Sequence, residues 1–122
     1  MPRIVHFDIS VSEPEEAIEY YSKVFGWKIV KWGGPMDYWL VTTGPEGEPG
    51  INGGLSKGET GEPAIALTVE VESVDDFLKV VTENGGSIVR GKSPIPGVGW
   101  SATTADPLGN LMGVFESDSE AG

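Results

Sequence analysis

The chain has 122 residues and an apolar fraction of 39%, which suits one domain with a hydrophobic core and argues against a disordered chain. Its eight basic and nineteen acidic residues give a net charge of −11, which argues against nucleic acid as a partner. The absence of cysteine excludes disulfides, thiolate catalysis and cysteine-bound metals. No apolar run approaches the roughly 20 residues of a membrane span, and no export segment is visible, so we expect a cytoplasmic protein without membrane contact.

The first half of the chain predicts one strand, one helix and three further strands. In the run Val5–Val11 the odd positions are apolar and the even positions are small or polar, which is the period of a half-buried strand. A capping box at Ser12–Glu15 then opens an apolar stripe with helical spacing, and Gly26 is a helix stop. The further strands are predicted over Trp27–Trp32, Tyr38–Thr43 and Ile51–Leu55.

The second half repeats this order. With a shift of 60 residues, Val5–Val11 falls on Ile65–Val71, which has the same alternation. A helix is predicted from Ser73 to Gly85, and the further strands over Ser87–Arg90, Trp100–Ala105 and Leu111–Glu116. We therefore predict a single α+β domain of two βαβββ modules, at about residues 1–56 and 63–117, joined by a linker at about 56–63.

Three stretches carry a resemblance to a known family: "VHFDISVSEPEEAIEYYSKVFGW", "VEVESVDDFLKVV" with the following "NGG", and "DPLGNLMGVFE". Together they resemble the vicinal oxygen chelate superfamily, which includes glyoxalase I, extradiol dioxygenases, fosfomycin-resistance enzymes and bleomycin-binding proteins. The resemblance covers nearly the whole chain. It implies two βαβββ modules that form a concave mixed β-sheet around a pocket, and a homodimer.

The resemblance also implies where a metal would bind in the metal-dependent members. Their first ligand is commonly a histidine in the first strand, and His6 matches it. The positions of two other usual ligands hold Ala66 and Gly113, which offer no donor, and the fourth strand offers only Asn52. We therefore expect no metal and no other cofactor. The alternative is an atypical set in which acidic residues of the same face join His6.

The even-numbered face of the first strand of each module holds the candidate site residues. His6 and Asp8 are predicted as a catalytic acid–base pair, because a histidine beside a carboxylate can exchange a proton near neutral pH. The alternative is that both are solvated groove residues. Four residues are predicted to contact a substrate: Trp39, Thr68, Glu70 and Trp100. The two tryptophans would do so on the concave side and would be core residues on the helix side.

These observations favour a glyoxalase-like protein that binds a small organic molecule in the concave pocket without a metal. They leave open whether the protein is an enzyme or a binding protein. The alternative function is a metal-dependent lyase, isomerase or dioxygenase whose atypical ligand set includes His6.

Overall fold

The computed structural model describes residues 2–58 and 64–122, in which eight strands and two helices form two βαβββ units. One compact unit is His6–Ile65, here the N-terminal unit; the other, Met1–Val5 with Ala66–Gly122, is the C-terminal unit. The predicted α+β fold is confirmed. The grouping of both units into one domain stays a prediction, and residues 59–63 of the predicted linker lie outside the described residues.

The N-terminal unit contains one helix and strands in the order β2-β3-β4-β1. Its elements are β1 (Arg3–Val11, of which the part from His6 belongs to this unit), α1 (Pro14–Phe25), β2 (Lys28–Lys31), β3 (Tyr38–Thr42) and β4 (Gly53–Lys57). β1 runs parallel to β4, whereas β3 is antiparallel to both β2 and β4. The strands therefore form a mixed arrangement.

The odd-numbered side chains of β1 pack against the helix side of the N-terminal unit, as the alternation predicts. Ile9 lies in a buried cluster with Val41 and Leu55, and the apolar stripe of α1 packs on this cluster through Ala17 and Ile18. Because successive side chains of a strand point to opposite faces, the even-numbered residues of β1 lie on the face away from α1. We call this second face of β1–β4 the open face.

The two helix starts differ in their capping. The predicted capping box at the start of α1 is wrong, because the N-cap residue is Glu13 and no side chain caps the helix. Pro14 occupies the first helical position, and Ser12 is therefore one residue too early to serve as the cap. At α2 (Val74–Glu83) the N-cap is Ser73, the first residue of the predicted helix, and its hydroxyl accepts a hydrogen bond from the backbone N–H of Asp76.

The C-terminal unit repeats the arrangement with strands in the order β5-β8-β7-β6. The strands are β5 (Ala64–Glu70, from Ala66 in this unit), β6 (Ser87–Ile95), β7 (Gly99–Ala105) and β8 (Leu111–Ser117). β5 runs parallel to β8, and β7 is antiparallel to both β8 and β6. β6 is longer than predicted and includes register shifts. The buried core of this unit consists of Val71, Val74, Ala102 and Val114.

Neither of the two helices in the described part of the chain is long and apolar enough to span a bilayer.

The core of the N-terminal unit leads to a first prediction. Leu55 is 0% exposed, so Leu55→Ala should leave a cavity and lower the free energy of unfolding by about 2–5 kcal/mol. Leu108 is 90% exposed, so Leu108→Ala should change that free energy by less than about 0.5 kcal/mol. Urea denaturation of both variants measures the difference, and equal effects would contradict the assignment of the core.

Candidate functional site

Three polar side chains meet on the open face of the N-terminal unit. The Tyr38 hydroxyl lies 2.8 Å from Nε2 of His6 and donates a hydrogen bond of 2.8 Å to Oδ1 of Asp8. Nε2 of His6 and Oδ1 of Asp8 are 3.5 Å apart. The His6 and Asp8 side chains are 33% and 39% exposed, so the cluster is open to solvent or to a ligand. The structure thus brings the predicted acid–base pair together and adds a tyrosine between its members.

Tyr38 reaches β1 by crossing the strand between them. In the strand register Asp8 is opposite Gly54 of β4, while Tyr38 is opposite Ser56, two residues further along β4. A Cβ atom built on Gly54 would overlap the Tyr38 hydroxyl and the end of its ring. Gly54 is therefore required for the bridge, because any side chain at this position would occupy the space that the phenol fills.

The surroundings of Tyr38 keep its phenol protonated. Burial raises the pKa of Tyr38 far above its ordinary value, and the negative charge of Asp8 and the hydrogen bond to that carboxylate raise it further. Tyr38 is accordingly a hydrogen-bond donor across the usual pH range, and its proton lies toward Asp8. This fixes the direction of the contact between the two residues.

The predicted substrate-binding tryptophans pack against the two cores. Trp39 packs on the buried cluster of the N-terminal unit, on the helix side of the strands. Trp100 packs on the core of the C-terminal unit, its indole N–H donates to Asp118, and the Lys92 ammonium lies 4.6 Å from its ring centroid. These are the positions of core residues, and contact of either indole with a substrate stays a prediction.

Thr68 and Glu70 are the other two predicted contact residues, and both belong to the C-terminal unit. Thr68 is buried opposite Gly113 of β8, and Glu70 is opposite Phe115. Their role in substrate binding stays a prediction. Glu116 accepts a hydrogen bond from the backbone N–H of Val74 at the start of α2, so its carboxylate lies on the helix side of β8.

Comparison with known proteins assigns the family. The model of the Glyoxalase/Bleomycin resistance protein/Dioxygenase superfamily matches residues 3–114. The chain belongs to this superfamily. It is 26% identical over 104 residues to the lactoylglutathione lyase of Escherichia coli O157:H7, an alignment that covers 78% of this chain and 77% of that protein.

Solved structures show the same fold at low sequence identity. A methylmalonyl-CoA epimerase from Mycobacterium tuberculosis superposes with a TM-score of 0.65 at 19% identity, covering 94% of this chain and 87% of that one. A hypothetical protein from Bacillus halodurans superposes with a TM-score of 0.71 at 14% identity, covering 98% and 97%. At these identities the likeness concerns the fold alone, and it agrees with the predicted βαβββ modules.

The donors of this superfamily member do not fit the metal site that the resemblance implies. Ala66 has no donor, and at Gly113 the space of a side chain is taken by the Thr68 hydroxyl, which lies 2.6 Å from a built Cβ. No group of three histidine, aspartate or glutamate side chains within residues 2–58 and 64–122 could hold a metal ion. His6 and Asp8 alone fall short of the three protein ligands that catalytic metal sites usually have.

Tyr38 is the site residue that sequence reasoning missed. Alternation along β3 places it on the face opposite Trp39, but alternation gives no reason for a side chain to cross a neighbouring strand. The available signal is the glycine pair Gly53–Gly54, since a glycine inside a strand often marks a close approach by a neighbouring group. Only the strand register shows that Gly54 lies between Tyr38 and Asp8.

The Gly54 contact yields a second prediction. Gly54→Ala should force Tyr38 out of its position and lower the free energy of unfolding by about 1–3 kcal/mol, because the new methyl group has no free space. In a Tyr38→Ala background the same substitution should cost less than about 0.5 kcal/mol. Gly91→Ala is the matched control, since no atom lies within 4 Å of its built Cβ. Equal costs in both backgrounds, measured by urea denaturation, would contradict the crossing.

The pKa of Tyr38 yields a third prediction. The folded chain keeps the phenol proton at pH values where the unfolded chain, with a tyrosine pKa of about 10, releases it. Stability from Tyr38 is therefore complete below about pH 10 and is lost as the pH rises, by up to about 1.4 kcal/mol per pH unit. Chemical denaturation at several alkaline pH values should show a steeper loss in the wild type than in Tyr38→Phe, and parallel losses would refute the shift.

Proposed function

We propose that this superfamily member binds a small organic molecule on the open face of its N-terminal unit without a metal ion. The observation that carries the proposal is the Tyr38 bridge between His6 and Asp8. It joins the two residues that would be candidate metal ligands in a hydrogen-bonded cluster, and the cluster is still partly exposed. Small-molecule sites combine apolar side chains with a few polar groups that orient the ligand, and the open face offers both.

The same cluster supports proton transfer with a bound molecule. The His6 side chain is 33% exposed, and its Nε2 lies 3.5 Å from Oδ1 of Asp8, so a bound molecule can reach an imidazole that stands beside a carboxylate. Binding is thus the proposed basic activity, and general acid–base catalysis by His6 is the form of turnover that the geometry supports. A cytoplasmic homodimer stays a prediction from the sequence.

A metal-dependent lyase or isomerase is the second candidate function. The similarity to lactoylglutathione lyase favours it, as does the short separation of His6 and Asp8, which could both approach one ion if Tyr38 moved away. It needs at least one further ligand, and the described residues offer no cluster of three. The metal-free site requires no such rearrangement, which is why we favour it.

Metal retention separates the two candidates. The untagged protein, incubated with nickel, zinc, iron or manganese and then desalted, should retain far less than one ion per chain in plasma mass spectrometry. His6→Ala should retain the same small amount, because weak surface binding does not depend on this residue. An acidic control, Asp37→Asn, removes a carboxylate that is paired with Lys31 rather than with the cluster.

Stoichiometric retention that His6→Ala abolishes and Asp37→Asn preserves would overturn the metal-free proposal. It would mean that His6 is a metal ligand and that Tyr38 leaves it when the ion binds. Assays for lyase and isomerase activity with the loaded protein would then be the next step.

A further inference from the structure

The hydrogen bonds around Tyr38 determine which nitrogen of His6 carries a proton. A phenol has one hydrogen, and here it is donated to Asp8, since an ionised carboxylate can only accept. The contact between the Tyr38 oxygen and Nε2 of His6, at 2.8 Å, is then a hydrogen bond only if Nε2 donates. In the neutral imidazole the hydrogen therefore sits on Nε2, and Nδ1 is an acceptor.

Nδ1 of His6 is available to a ligand. The described residues provide no hydrogen-bond partner for it, since the histidine contacts Tyr38 and Asp8 through Nε2. The side chain is 33% exposed, so a bound molecule can reach the ring. With the imidazole neutral, the site thus presents one acceptor at a fixed position.

An apolar strip borders the cluster on the same face. Ile29 packs into the core, so its neighbour Val30 lies on the open face, where Leu40 is its partner across β2 and β3. Val30 and Leu40 are 46% and 41% exposed. Trp32 extends the strip, because its backbone N–H bonds to the Tyr38 carbonyl and its ring meets the Tyr38 ring edge-on, with centroids 6.2 Å apart. We call Val30, Trp32 and Leu40 the apolar strip.

The charge of the cluster decides against anionic ligands. The Asp8 carboxylate lies 3.5 Å from the His6 ring nitrogen, and the chain as a whole carries a net charge of −11. A carboxylate or phosphate brought to Nδ1 would meet an acceptor and a nearby negative charge, so it would gain no hydrogen bond and would be repelled. A donor group meets neither obstacle.

We propose that the open face binds a largely apolar, uncharged or cationic organic molecule that donates one N–H or O–H hydrogen bond to Nδ1 of His6. The apolar body of this molecule lies on the strip formed by Val30, Trp32 and Leu40. The inference names the ligand class of the site and rests on the proposed function.

Nitrogen NMR tests the proton position before any ligand is added. His6 is the only histidine in the chain, so its two ring-nitrogen signals need no assignment among residues. With the imidazole neutral, isotopically labelled wild-type protein should show a protonated Nε2 and an unprotonated Nδ1. A proton on Nδ1 would overturn the inference, since the site would then present a donor.

Three indoles test the ligand class by titration in the same experiment: indole, N-methylindole and indoleacetate. Indole should bind about threefold to tenfold more tightly than N-methylindole, which is the gain from one hydrogen bond, and should shift the Nδ1 signal. Indoleacetate should bind more weakly than indole despite its N–H group, because of its charge.

Two variants and a control locate the binding. His6→Ala should make indole and N-methylindole bind equally, whereas Trp32→Ala should weaken both by a similar factor and leave their ratio intact. Leu108→Ala, at a position of the other unit that is 90% exposed, should change neither affinity. A ratio that survives His6→Ala would overturn the assignment of Nδ1, and affinities that are unaffected by Trp32→Ala would overturn the role of the strip.

The outcomes for the ligand class and for the proposed function are distinguishable. Binding of all three indoles with equal affinity, or preference for indoleacetate, would refute the inferred preference for an uncharged hydrogen-bond donor. Metal-free binding as such would not be affected. Stoichiometric metal retention that depends on His6 would refute the proposed function itself. The metal experiment measures this retention without any indole.

Discussion

The lack of a side chain at Gly54 is the constraint on which the candidate site depends. β4 lies between β3 and β1, and a side chain at its centre would separate Tyr38 from Asp8 and His6. Because glycine leaves that space free, the phenol crosses the strand and makes both hydrogen bonds of 2.8 Å. A strand glycine usually weakens a sheet, since it packs no side chain. Here the tyrosine fills the position that the glycine leaves open, so packing and polar contact are provided by one residue.

The two units treat the corresponding positions in different ways. In each, a first-strand residue faces a glycine across a parallel pair: Asp8 faces Gly54, and Thr68 faces Gly113. In the N-terminal unit the Tyr38 phenol, from the next strand, fills the space where Gly54 has no side chain. In the C-terminal unit the Thr68 hydroxyl lies close to the corresponding space at Gly113. The repeated backbone therefore does not impose a repeated site. An ionisable, partly exposed cluster exists in the N-terminal unit, while Thr68 is buried.

Sequence reasoning reached the fold because strand and helix periods are local properties. The alternation around Ile9 located β1 and its two faces, and the shift of 60 residues located its repeat. Sequence reasoning failed at the first residue of α1 and at a contact that depends on the register between strands. The cap of α1 moved from Ser12 to Glu13 because Pro14 begins the helix. Tyr38 was counted only as a strand residue, because its contact with Asp8 arises from the pairing of three strands and from no pattern within any of them.

In the proposed site, the direction of the hydrogen bonds would let a single histidine select ligands without a metal. Donor and acceptor roles in the cluster follow from one fact, that Asp8 can only accept. The Tyr38 proton then goes to Asp8, the His6 Nε2 proton goes to Tyr38, and Nδ1 is left as an acceptor. A metal site would select ligands by their negative oxygens, whereas the proposed site would select for a hydrogen-bond donor and against negative charge. The net charge of −11 does not by itself show where the charges lie. It would repel anionic ligands, as the Asp8 carboxylate of the cluster would.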